Sequence, residues 1–338
     1  MRLLLVPDLA SPNGEDAFCR EIAKRAAARG HACATRMAPS GPPAALAEKL
    51  SSEGFALDCD AVIINGLQPA ALLAAEAAKR PIALRLIDSY PGASPAALAE
   101  VKGFVAKAAR ILVPSRHLRE IAISWEIAPE RVRLVPYAYD QISAQQIALV
   151  TLRAARPSAF GLVTAGVIDA GTLPAFETVL SAVSRLRLDC HLAVIGDGPA
   201  LPALKARAES LLINGRASFL GELPHPKKME YLRAAKAYID PSGSQGFPSL
   251  ALHSLSEGCP VIGADSGAVP ELIEDGRNGL LFRRGDAAAL AEKIVTLAST
   301  PGLSLKFIAE GVRTVENHSW DATVAVTFDA VETLRGRS

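Results

Sequence analysis

The sequence predicts an α/β protein built from two doubly wound Rossmann-like domains facing a cleft. Three observations carry that expectation. Short, unbroken apolar runs alternate with helix-length segments; the alternation occurs twice; and it is interrupted once, between Tyr137 and Phe160. Buried parallel strands read as continuous apolar runs because helices cover both faces of the sheet. A chain of 338 residues also suits two domains of roughly 150 residues each.

The first series opens with "RLLLV", followed by "GEDAFCREIAKRAAARGH", where Ala17, Phe18, Ile22, Ala23 and Ala26 fall at helical spacing and Gly30 supplies a C-terminal cap. "DAVII", "PIALRLI" and "RILVP" repeat the strand signal behind Ala-rich helical stretches, and "VRLVP" closes the set. From Tyr137 to Phe160 the rhythm lapses and Pro157 punctuates it. It restarts with "GLVTAGVI", the helix "LPAFETVLSAVSRL" and "CHLAVIGDG", then continues through "ASFLGEL", "AYIDPS" and "CPVIGAD". The predicted domains are 1–145 and 146–318, with a C-terminal helix over 319–338 that can return to the first domain. In open α/β sheets ligands bind beyond the carboxyl ends of the strands, so the loops there are the candidate sites.

Half the residues are hydrophobic, 21% are charged and the net charge is +1. Such a balance describes a globular chain with sizeable cores and argues against a nucleic-acid partner. Five scattered cysteines in apolar settings read as reduced thiols, which points to a cytoplasmic protein. The apolar start "MRLLLVPD" is too short for a signal or a bilayer span and reads as a first buried strand.

Four motifs stand out. "GDGPAL" (196–201) follows a strand and opens a helix, so Gly196, Gly198 and Pro199 could border an anionic ligand; the dinucleotide fingerprint's third glycine is missing. "DPSGSQGFPSLALHSLSEGCPV" places a glycine loop, with Pro248 as first helical residue, before the apolar helix Leu250 to Leu255, where backbone N–H groups and the helix dipole favour a phosphate. An ordinary strand-loop-helix connection remains an alternative for both. "ADSGAVPELIEDGRNGLLF" carries good helix-start chemistry with or without a ligand. "DCD" (58–60) precedes its strand and lies at the wrong end for a metal site, the six histidines show no metal-ligand spacing, and His225 reads as a solvent-facing loop residue.

"VIGDGP", "FLGELPHPKKMEYLRAAKAYIDPS", "GFPSLALHSLSEGCPVIGADSGAVPELIEDGRNGLLFRRGD" and a closing "HSW" together resemble the second domain of GT-B fold glycosyltransferases of group 1, also called family 4. The first half looks like their acceptor domain, from "MRLLLVPD" to "PERVRLVPYAYD". The resemblance implies a metal-independent, retaining transfer of a sugar from a nucleotide-diphosphate sugar, a substrate and not a cofactor, to a glycan or lipid-linked acceptor. It implies donor contacts at Gly196, Gly198, Pro199, Ser244, Gly246, Phe247, Ser249 and Leu250, and acceptor-side contacts at Asn65, Asp88 and Arg116. Peripheral membrane contact and a partner transferase complete the expected partners.

Where the family usually carries two glutamates eight positions apart, this sequence has Gln245 and His253, the candidate catalytic residues. The usual Arg and Lys after the second domain's first strand correspond to Ala165 and Ala170 in "TAGVIDAG", the usual histidine of the first domain to Ile87, and a usual Gly to Pro248. Arg116 and Lys227 are the cations that could substitute from other loops. The alternative function is therefore a catalytically inactive GT-B protein acting as a binding or partner subunit. An epimerase or phosphorylase on the same fold is a third class, but no acid–base pair supports it.

Overall fold

The computed structural model describes residues 1–7, 17–37, 42–56, 58–88, 90, 93–139, 160–241 and 246–334. The chain forms two compact units, Met1–Ala138 with Trp320–Ser338, and Tyr139–Ser319.

The first unit runs β1 (Arg2–Val6), α1 (Ala17–Ala26), β2 (Ala32–Thr35), α2 (Pro43–Ser52), β3 (Ala61–Asn65), α3 (Pro69–Ala77), β4 (Ile82–Arg85), α4 (Pro95–Ala106), β5 (Arg110–Val113), α5 (Arg116–Ser124) and β6 (Val132–Leu134). All six strands are parallel, in the order β2-β1-β3-β4-β5-β6. Strand alternation sorts the side chains. Leu4, Val6, Val62, Ile64, Leu84 and Ile111 face one buried cluster, while Leu3, Leu5, Ile63, Ala83 and Leu112 join Phe18 and Ile22 of α1 in another. Helix starts follow local chemistry: proline begins α2, α3 and α4, and Ser94 and Ser115 accept the amides of Ala97 and Leu118.

The second unit runs β7 (Phe160–Ala165), α6 (Leu173–Arg185), β8 (Cys190–Ile195), α7 (Leu201–Ser210), β9 (Ala217–Phe219), α8 (His225–Ala234), β10 (Ala237–Asp240), α9 (Ser249–Ser256), β11 (Val261–Ala264), α10 (Val269–Leu272), β12 (Gly279–Phe282), α11 (Ala287–Ser299) and α12 (Leu303–Glu316). Its parallel order is β12-β11-β10-β7-β8-β9. Leu162, Leu192, Val194, Ile239 and Ile262 pack beneath Phe176, Val179, Val183, Leu204 and Ile294 of the covering helices.

Two strands carry no apolar run in the reading above, β2 and β12, and both are sheet edges. The burial of β2 explains the weak signal: no residue of "ACAT" is fully buried, so no continuous apolar run is needed.

The last helix, α13 (Trp320–Glu332), packs in the first unit against α1 and β5. Phe328 is fully buried with the His31 ring stacked on it at 4.6 Å. Arg25 Nε donates to Asp321 Oδ1 at 2.9 Å, His31 Nε2 lies 2.8 Å from Glu332 Oε1, and Thr323 Oγ1 donates to the Pro136 carbonyl at 2.8 Å. Among the described residues, no helix is long and apolar enough to cross a membrane.

Candidate functional site

Each sheet has one place where neighbouring strands lead their connections in opposite directions: between β1 and β3 in the first unit, between β7 and β10 in the second. In open α/β sheets a ligand crevice forms at such a place, beyond the strands' carboxyl ends.

In the second unit the loops after β7 and β8 are zipped together by backbone. Gly166 N–H donates to the Ile195 carbonyl at 3.0 Å, Ile168 N–H to Asp197 at 2.9 Å, and Ala200 N–H to Ile168 at 2.9 Å. Gly196 and Gly198 make this possible. A Cβ on Gly196 would sit 1.9 Å from the Gly166 carbonyl oxygen, and one on Gly198 would sit 2.3 Å from that of Ile168, at φ +132° and +151°. The donors are consumed internally as well: Gly196 N–H bonds the Gly221 carbonyl at 2.8 Å and Gly198 N–H bonds Asp197 Oδ1 at 2.7 Å. Pro199 has no N–H. The two glycines thus serve close loop packing, and their amides do not point at an open site as the motif suggested.

The strand β10 ends in buried Asp240. Ser244 and Gln245 lie outside the described residues. The chain is followed again at Gly246, Phe247 and Pro248 before α9. Pro248 is the residue before the first helical one, and not the first helical residue as expected; Ser249 N–H turns back to the Phe247 carbonyl at 2.8 Å. That bond removes Ser249 from the expected set of backbone donors. The amides of Leu250 and Ala251 bond no oxygen among the described residues, so two donors at the positive end of α9 remain available.

One turn into α9 stands His253. Its Nδ1 is buried with no hydrogen-bond partner. Tyr139 lies 4.8 Å from the ring, and His225 meets it edge-on at 5.0 Å. Burial, then the neighbouring His225, pushes the His253 imidazole down to about 3. It is therefore neutral, and a neutral imidazole offers one acceptor nitrogen. His225 is the first residue of α8 and is half-buried, a correction to its reading as a solvent-facing loop residue. Burial, then Lys228, lowers its value, with Glu257 opposing. The helix carrying it is held by Arg233, which grips Glu257 at 2.6 and 3.0 Å, and by an ion pair between Lys228 and Glu222. Phe247 rests 5.5 Å from the His318 ring.

Ala165 is the last residue of β7, so the side chain leaving the strand end is Val167, 63% exposed, followed by exposed Ala170. Lys227 bonds Glu230 on its own helix at 2.6 Å. Arg116 is the exposed first residue of α5 in the first unit.

In the first unit Asn65 is buried at the end of β3, and its Oδ1 accepts from Arg85 Nη1 at 3.0 Å. Asp88 is half-buried in the loop after β4. Asp60 marks the opposite end of β3, accepting the Arg2 amide at 2.7 Å. The sequence reading missed Asp240, Tyr139, Arg85 and Gln68. A charged residue inside an apolar run, as in "PIALRLI" and "AYIDPS", was the available signal for two of them.

Residues 174–313 match the family described as "Glycosyl transferases group 1". The chain is 29% identical over 147 residues to a phosphatidyl-myo-inositol mannosyltransferase of Mycobacterium leprae (strain TN), covering 43% of this chain and 38% of that one. It is 31% identical over 135 residues to a D-inositol 3-phosphate glycosyltransferase of Streptomyces scabiei (strain 87.22), covering 40% and 30%. The chain thus spans 38% and 30% of these two relatives' length. Its fold matches that of Anabaena HepE, crystallised with UDP and glucose, at a TM-score of 0.78 with 17% identity over 99% of this chain and 100% of that one. Sucrose-phosphate synthase from Thermosynechococcus elongatus gives 0.77 with 16% identity over the whole of both chains. Two six-stranded parallel sheets flanked by helices are the architecture of GT-B glycosyltransferase structures.

Proposed function

We propose that this chain is a glycosyltransferase that moves a sugar from a nucleotide-diphosphate sugar to a glycan or lipid-linked acceptor, without a metal and with retention of configuration. The observation that carries the reading is the start of α9. Two amides without described partners, at Leu250 and Ala251, and a buried ring nitrogen without one, at His253 Nδ1, stand within one turn of each other, inside the segment that matches the transferase family.

The chemistry divides along those atoms. The amides and the helix dipole suit the diphosphate, whose negative charge they offset without a side chain. His253, held neutral, suits a donor hydroxyl, because a protonated imidazole would offer no acceptor. Tyr139 and His225 hold its ring. Gln245 is assigned to the sugar, where an amide can both donate and accept.

The departing diphosphate meets Val167 and Ala170 in the loop after β7. Removing one positioned donor from a site of developing charge costs about 2.7–4 kcal/mol in the transition state. That loop favours the second reading, a GT-B protein that binds its ligand or a partner transferase and turns over slowly or not at all. Incubating the purified protein with labelled UDP-, GDP- and ADP-sugars tests the pair. Transfer or hydrolysis with one of them supports the transferase; nucleotide binding without turnover supports the binding subunit.

A further inference from the structure

We infer that Asn214 is a site of self-modification, where the backbone nitrogen of Gly215 displaces the side-chain amide and leaves aspartate and isoaspartate in the turn before β9. The modification needs no bound ligand and no transferase activity.

Asparagine is followed by glycine at Asn13, Asn65, Asn214 and Asn278. Glycine matters because no Cβ obstructs the approach of its nitrogen. Asn13 lies outside the described residues. At Asn65 and Asn278 the fold withholds the reaction. Asn65 is buried, its Oδ1 accepts from Arg85 Nη1 at 3.0 Å, and the Gly66 N–H donates to the Arg85 carbonyl at 3.0 Å. Asn278 is 1% exposed; its Oδ1 accepts the Glu274 amide at 2.8 Å, and its Nδ2 donates to the Leu272 carbonyl and to Thr314 Oγ1, both at 2.9 Å.

None of these restraints acts on Asn214. Both Asn214 and Gly215 are exposed. Among the described residues, neither the Asn214 side chain nor the Gly215 N–H has a hydrogen-bond partner. The pair sits in a single 3₁₀ turn, Asn214–Arg216, closed by the Arg216 N–H on the Ile213 carbonyl at 2.8 Å. Just before it Leu212 is 92% exposed at φ +55°, a left-handed conformation that a leucine takes at a cost, so the turn opens readily.

The Gly215 nitrogen gives its proton to a solvent base and bonds the carbonyl carbon of the Asn214 side chain. The bond from that carbon to Nδ2 breaks, and ammonia leaves with the returned proton. Water then opens the cyclic imide. Opening at the side-chain carbonyl gives aspartate; opening at the backbone carbonyl gives isoaspartate, in which the chain runs through Cβ. The next residue, Arg216, donates to the Leu186 and Leu188 carbonyls at 3.1 Å each and lies 3.1 Å from Cys190 Sγ, which ties the turn to the segment entering β8. Isoaspartate lengthens the backbone immediately before that clamp and loosens it.

Peptide mapping of the full chain, aged at mildly alkaline and at mildly acidic pH, tests this. In the folded protein the peptide carrying Asn214 should gain the mass of the acid severalfold faster than those carrying Asn65 and Asn278. It should split into two chromatographic products and convert faster at the alkaline pH. In urea the three should convert at similar rates, since each asparagine precedes a glycine. No conversion at Asn214, or equally fast conversion at the buried two in the folded chain, overturns the inference. Gly215→Ala adds a Cβ with nothing within 4 Å, at a φ outside the left-handed region, so the fold accepts it. That variant should convert severalfold more slowly, and an unchanged rate overturns the imide route. Hydrogen exchange on the aged sample should be faster across 186–193 and 217–219; unchanged exchange overturns the effect on the Arg216 clamp.

Discussion

Replacing His253 by Phe should make the empty protein more stable and its nucleotide binding weaker. The ring contacts with Tyr139 and His225, at 4.8 and 5.0 Å, can be kept by a phenyl ring. What disappears is Nδ1, buried without a partner. Leaving such a group unsatisfied costs about 1–3 kcal/mol, so His253→Phe should gain an amount of that order at pH 7. A gain of about 2 kcal/mol raises the midpoint of thermal unfolding by about 4–8 °C in a unit of this size. The pH dependence supplies an independent measure. In the unfolded chain His253 takes up its proton below its ordinary value of 6.5, but in the fold only near 3. Between those values the unfolded state holds more protons, so stability rises with pH across the window, by up to about 1.4 kcal/mol per unit, and is level above it. That contribution vanishes in His253→Phe. His225 keeps a slope of the same sign, set by burial and Lys228 against Glu257. Urea unfolding from pH 3.5 to 8, with UDP titrations at pH 7.5, reads both effects. A variant less stable than the wild type at pH 7, or one that binds UDP equally well, refutes the reasoning.

Gly198→Ala would force a Cβ to within 2.3 Å of the Ile168 carbonyl oxygen and should destabilise the second unit by about 3 kcal/mol or more, as read by denaturant unfolding. Pairing Val167→Arg with Ala170→Lys should supply charge at the strand end and raise the turnover of labelled nucleotide sugars by at least about 10²-fold; an unchanged rate places the deficit elsewhere. Phe328→Ala should cost about 3–5 kcal/mol and speed hydrogen exchange in both α1 and α13, because the ring fills the core between them.

The α/β class was legible because its signal is local. A strand buried on both faces must be apolar at each position, so "RLLLV" and "DAVII" declare themselves without knowledge of their neighbours. The edge strand β2 escaped for the same reason: solvent on one side removes the demand. The resemblance of residues 196–286 rested on the same short-range regularity. His253 was picked out by its spacing from Gln245, and its helix by apolar run and terminal glycine. The use of these residues was not legible. Gly196 and Gly198 look like ligand-facing glycines until residues thirty positions earlier, Gly166 and Ile168, are laid against them. His225 looked like a loop residue until α8 brought it to His253. By itself the sequence determined the central, fully buried strands and the helices between them, because burial and periodicity act within a few residues. Only the tertiary structure decided which polar atoms are satisfied and which wait for a ligand, because hydrogen-bond partners come from elements far apart in the chain.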